Sequence, residues 1–146
     1  MQLSRDFKEF LQSLNDSGVR YLVLGGYAVA FYGHPRYTKD LDVWIENSRE
    51  NAEKLVKALE QFGFGALNLT AEDFLDEGQV VQMGVAPHRI DVLNFADGID
   101  FSKCYDSRQI AEFDGVKIAF IDIENLKTNK RASGRLQDLA DVENLS

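Results

Sequence analysis

The stretch Asp40-Leu41-Asp42-Val43-Trp44-Ile45 constrains this chain more than any other. Leu41, Val43 and Ile45 alternate with Asp40 and Asp42, the period-two pattern of a strand whose apolar face is buried. Both carboxylates then leave the same face, with α-carbons about 6.6 Å apart. Two like charges held that close repel, and either open solvent or bound cations must relieve them.

With 146 residues, 45% of them apolar, the chain suits one compact domain with a core of its own. No Pro/Gly/Ser-rich linker, repeat or low-complexity tract divides it, so a single domain over residues 1–146 is expected. Cys104 is the one cysteine and has no internal disulfide partner. The opening segment places Leu3, Phe7, Phe10, Leu11 and Leu14 among charges, an amphipathic helix rather than a signal peptide or membrane span, and the expected location is cytoplasmic, with no membrane partner. A formal net charge of −8 opposes unaided, sequence-independent binding to nucleic acid. Lys127, Lys130, Arg131 and Arg135 nevertheless gather in one stretch and leave room for a local anion site.

Capping residues and apolar spacing predict helices over Leu3 to Asp16, Tyr27 to Gly33, Ser48 to Phe62, Thr70 to Glu77, Asp122 to Ala132 and Arg135 to Leu145. Asn47 with Glu50 resembles a capping box for the third of these. Strands are expected at Arg20 to Leu24, Asp40 to Ile45, Gln79 to Val85 and His88 to Phe95, the last two joined by a turn near Ala86 and Pro87. Asp114-Gly115 between two alternating runs marks a hairpin with a type I′ turn. The outcome is an α+β fold with a mixed sheet flanked by helices, without the regular alternation of a doubly wound protein.

Two further features join the acidic strand. Gly25-Gly26 ends a buried strand just ahead of a helix, offering backbone N–H groups that no side chain screens from an approaching phosphate. In Arg89-Ile90-Asp91-Val92-Leu93, Asp91 is a third carboxylate on an otherwise apolar strand. A lone Asp-x-Asp or a lone Gly-Gly is ordinary strand surface or an ordinary turn. The ordered composite of strand, Gly-Gly, helix, loop, Asp-x-Asp strand and later Asp strand is much rarer.

In that composite, "VLGGYAVAFYGHPRYTKDLDVWI" with "RIDVLNF" resembles the DNA polymerase β-like nucleotidyltransferase superfamily. The phrase G-x-P-R-x-T-x-D-x-D and the tail "NKRASGRLQDLADVENL" are similar to small bacterial members, among them aminoglycoside- and lincosamide-modifying enzymes and nucleotidyltransferase-like proteins of toxin–antitoxin and phage-defence systems. The resemblance implies the polymerase β-like fold and transfer of a nucleoside monophosphate from a nucleoside triphosphate to an acceptor, with release of pyrophosphate. It implies that Asp40, Asp42 and Asp91 bind two Mg²⁺ or Mn²⁺ ions, that Asp91 accepts the proton of the attacking group, and that Gly25 and Gly26 cradle the β- and γ-phosphates. The acceptor, whether small molecule, protein or tRNA, is not legible, and a partner protein or second copy is compatible with so short a chain.

Secondary candidates carry two readings each. Arg36 suits a phosphate or a surface ion pair, and Thr38 steadies a loop or a ligand. Lys130 and Arg135 reach the triphosphate if the closing helices fold back; a solvated helix face is the plainer expectation. Asp138 and Asp141 are read as their ion-pair partners. Trp44 is expected to pack at a pocket rim, Cys104 to be structural, and His34 and His88 receive no role. Among other functions, a glycosyltransferase shares Asp-x-Asp but needs a larger nucleotide-binding fold, while a non-catalytic, antitoxin-like module on the same fold stays open.

Overall fold

The computed structural model describes residues 3–34, 38, 40–63, 68–84 and 88–145. Helix α1 (Arg5–Asp16) starts at Ser4, whose hydroxyl accepts from the Phe7 amide, and buries Phe7, Phe10, Leu11 and Leu14. Strand β1 (Tyr21–Leu24) is buried throughout and runs directly into α2 (Gly25–Phe31). Strand β2 (Asp40–Ile45) follows, then α3 (Arg49–Phe62), closed by Gly63 at φ +108°. A 3₁₀ turn (Ala71–Phe74) precedes β3 (Val80–Met83) and β4 (Arg89–Leu93). Next come α4 (Phe101–Asp106), the hairpin of β5 (Gln109–Phe113) and β6 (Val116–Phe120), and the closing helices α5 (Ile123–Ser133) and α6 (Leu136–Leu145).

The strands form one mixed sheet in the order β3-β4-β2-β1-β6-β5. Sequence neighbours β1/β2, β3/β4 and β5/β6 pair antiparallel, whereas β2/β4 and β1/β6 pair parallel. The fold is therefore α+β with a mixed sheet, as the pattern predicts. In β2, Leu41, Val43 and Ile45 are all fully buried in the core. Apolar side chains of α1 and α3 join the same core, where Phe10 meets Phe62 edge-on and Phe31 stacks on Phe120 at 4.2 Å. No described helix is long and apolar enough to cross a membrane.

Local expectations are corrected at several points. The cap of α3 is Ser48, which accepts from the Asn51 amide, in place of an Asn47–Glu50 box; Ser48 lies one residue closer to the first turn. Between Thr70 and Glu77 only the 3₁₀ turn forms, held by reciprocal Thr70–Asp73 bonding. Helix α2 begins at Gly25, two residues before the expected start, so the diglycine is its first turn. The six-residue α4, capped by Asp100, has no counterpart in the sequence reading, being too short to show a helical period. The expected turn at Ala86 and Pro87 lies outside the described residues. At the hairpin, Asp114 and Gly115 both have positive φ, +51° and +84°, as a type I′ turn requires.

Candidate active site

Register decides which side chains share a face. Strand β1 sets Leu24 opposite Asp42, while β4 sets Arg89 opposite Asp40 and Asp91 opposite Asp42. Strand β3 adds Gln82 opposite Asp91 and Val80 opposite Leu93. Because paired residues project from the same side of a sheet, Asp40, Asp42, Arg89 and Asp91 emerge together, while Leu41, Val43, Ile90 and Val92 fill the opposite face. One ligand oxygen from each of the three aspartates lies within 4.8 Å of the others, a group able to hold a metal ion. Their all-oxygen chemistry suits a hard divalent cation.

Gly25 closes one side of this group. Its φ is +64°, and a β-carbon there would stand 2.2 Å from Asp42 Oδ2. Both the backbone conformation and the proximity of the carboxylate exclude any other residue without rearrangement. The parallel β2/β4 pair and the end of β1 thus deliver the diglycine to the same place as the three acids.

Arg89, which the sequence reading passed over, lies between two of the carboxylates. Its Nη2 donates to Asp40 Oδ2 at 2.6 Å and to Asp91 Oδ2 at 3.2 Å, and its Nε donates to Asp91 Oδ1 at 3.1 Å. The available signal was its position two residues before Asp91 on one strand, which places both on one face. Burial, then the charges of Asp91 and Asp40, push the Asp42 carboxyl up to about 6, against the opposing pull of Lys130 and Arg135. Burial likewise raises Asp91, opposed chiefly by hydrogen bonding from Arg89. The site is consequently an acidic cluster only partly neutralised by its own cations.

The acids open into a cleft of about 430 Å³, walled by Val80, Leu93 and Phe95 on one side and by α5 and the start of α6 on another. Helix α5 is brought in by the loop after β4. Asn129 donates to the Asp97 carbonyl, and Gly98 lies so close to α5 that a β-carbon there would come within 2.6 Å of the Ala132 β-carbon. Lys130 and Arg135 both line the cleft, so the closing helices do fold back over the site. Lys130 departs from the expected solvated face: it is 3% exposed and pairs with Asp138 at 3.1 Å and Asp141 at 2.9 Å. Two buried carboxylates compensate the ammonium, which makes its burial tolerable. Arg135 remains largely exposed, with Nε held by Asp138 Oδ2 at 2.8 Å.

The remaining candidates divide. Gly25 and Gly26 line the cleft. Thr38 is half-buried just ahead of β2, and Arg36 lies outside the described residues. Trp44 shares the acidic face but is buried, edge-on to Phe101 at 5.0 Å, and is not among the residues lining the cleft. Cys104 is buried.

Among solved structures, the chain resembles a candidate nucleotidyltransferase from Thermotoga maritima, with a TM-score of 0.62 and 16% identity over 97% of this chain and 88% of that one. It also resembles an antigenic nucleotidyltransferase-like protein from Paracoccidioides brasiliensis, with a TM-score of 0.55 and 18% identity over 98% of this chain and 77% of that one. The chain has the nucleotidyltransferase fold. At these identities the likeness concerns architecture alone. No protein-family model and no curated protein matches the sequence.

Proposed function

We propose that this protein is a metal-dependent nucleotidyltransferase that moves a nucleoside monophosphate from a nucleoside triphosphate to an acceptor hydroxyl or phosphate and releases pyrophosphate. The observation that carries this reading is the convergence of Asp40, Asp42 and Asp91 within 4.8 Å beside the diglycine turn, on a sheet of this fold. In the proposal these three aspartates hold Mg²⁺ or Mn²⁺, two ions in all. Bound divalent cations supply charge neutralisation for the triphosphate and for the α-phosphorus as it is attacked.

The chain's own groups do the rest. Backbone N–H groups of Gly25 and Gly26 receive the β- and γ-phosphates, for which the missing side chains leave room. Asp91 accepts the proton of the acceptor as its oxygen bonds to the α-phosphorus and the bond to the β-phosphate oxygen breaks. Arg135 offers its exposed guanidinium to the triphosphate, while Lys130, held by Asp138 and Asp141, lies in the cleft wall beside it. Arg36 and Thr38 are proposed to act on the approach to β2. On this reading catalysis rests on positioning and on charge placed in advance by the aspartates and the diglycine turn.

Titration calorimetry with ATP and Mn²⁺ tests the reading. Metal-dependent nucleotide binding by the wild type, lost in Asp42→Asn, is expected. Equal behaviour of the two proteins would leave a non-catalytic, antitoxin-like module as the function of the fold. Isotopically labelled nucleoside triphosphates added to cell extract with the protein then reveal the acceptor, as a small molecule, protein or tRNA of increased mass.

A further inference from the structure

The β2/β4 register places Arg89 directly opposite Asp40, and strand alternation places it on the same face as Asp91. Its guanidinium therefore reaches both acids as a result of backbone pairing. Nη2 is shared between Asp40 Oδ2 and Asp91 Oδ2, and Nε takes the remaining oxygen of Asp91. Both oxygens of Asp91 and one of Asp40 thus already serve a cation.

We propose that Arg89 is the resident counter-ion of this site, and that a divalent cation shared by Asp40 and Asp91 takes over the oxygens its guanidinium holds. The proposal rests on the metal-binding reading above and adds to it a competitor encoded in the chain. Two cations a few ångströms apart on the same oxygens repel strongly in a partly buried site. The Arg89 side chain is 35% exposed and lines the cleft, so it has somewhere to go. Its planar fork of donors matches phosphate oxygens as well as carboxylate oxygens. A triphosphate in the cleft gives the released guanidinium a new partner, whereas the metal alone displaces it without that compensation. Arg89 is in this sense a positioning residue: it keeps Asp40 and Asp91 converged without metal and opposes uptake of metal without nucleotide.

The test titrates Mn²⁺ alone, followed by electron paramagnetic resonance, into wild type, Arg89→Lys and Arg89→Met. Arg89→Met is expected to bind Mn²⁺ roughly tenfold more tightly than wild type, with Arg89→Lys between them, because removing one close positive charge favours another. A purely structural arginine gives the opposite order, since acids that lose their alignment bind metal more weakly. Equal or weaker binding by Arg89→Met overturns the proposal and leaves the metal site standing. Uptake by neither wild type nor Arg89→Met overturns both readings.

A second measurement needs no fold-altering change in the protein observed. The Nε–H nuclear magnetic resonance signal of Arg89, assigned by its loss in Arg89→Lys, is expected to exchange slowly with water in metal-free wild type. Saturating Mg²⁺ should accelerate that exchange severalfold. A signal that keeps its protection at saturation overturns the displacement.

Discussion

Gly25 and Asp42 are in contact: a β-carbon at residue 25 would stand 2.2 Å from Asp42 Oδ2, at a backbone φ of +64°. Gly25→Ala is expected to destabilise the fold by about 2–4 kcal/mol, combining the cost of a left-handed alanine with that of displacing the carboxylate. Urea unfolding should show a lower midpoint at unchanged slope, and Mn²⁺ affinity should fall with it. A variant that unfolds at the wild-type midpoint contradicts the contact.

Asp42 predicts an unusual pH dependence. Its folded carboxyl is pushed up to about 6, first by burial and then by Asp91 and Asp40, whereas an unfolded aspartate titrates near about 3.9. The folded state holds this proton more tightly, so the associated stability is complete below about pH 4 and is lost as pH rises through about 6. The loss amounts to at most about 3 kcal/mol. Asp42→Asn removes it, and the difference between the two unfolding profiles from pH 4 to 8 should grow in the variant's favour and level off near neutrality. A constant difference across that range would show that Asp42 is not held in its acid form by the fold.

Lys130 and Arg135 should separate cleanly. Lys130→Met leaves Asp138 and Asp141 as buried charges without their ammonium and is expected to cost about 3–5 kcal/mol. Arg135→Ala removes an exposed guanidinium from Asp138, whose buried carboxylate keeps Lys130 and Ser133 as donors, and should cost about 1 kcal/mol while weakening triphosphate binding. Thermal unfolding combined with nucleotide titration distinguishes the two; equal destabilisation would refute the assigned burial.

Trp44 provides a contrast within the acidic strand. Buried against Phe101, it should behave as core: Trp44→Ala costs about 3–5 kcal/mol, and Trp44→Phe recovers much of this. Nucleotide affinity of Trp44→Phe should match wild type in the same titration. A selective loss of affinity at full stability would place the indole in the binding surface instead.

The acidic strand was readable because period-two alternation commits each residue of β2 to a face, and the same rule applied to β4 commits Asp91 to the face opposite Ile90 and Val92, though its place beside Asp42 comes from the β2/β4 pairing. The hairpin was readable because Asp114-Gly115 accepts positive φ at both positions. Lys130 was harder, since a lysine is buried only when acids from another element meet it, and Asp138 and Asp141 belong to the next helix. Arg89 obeyed the legible rule, but its partnership with Asp40 depends on which strand lies alongside β4. That adjacency is parallel and non-consecutive, set by the whole sheet rather than by local pattern.

The residue-by-residue match of β2 with β4 has a consequence for how the protein comes into being. Sliding either strand by a single position would drive charged groups into the oily interior and apolar ones toward the opening. Molecules that assemble wrongly are thus penalised by the very acids that line the cleft, and quality control is written into its wall.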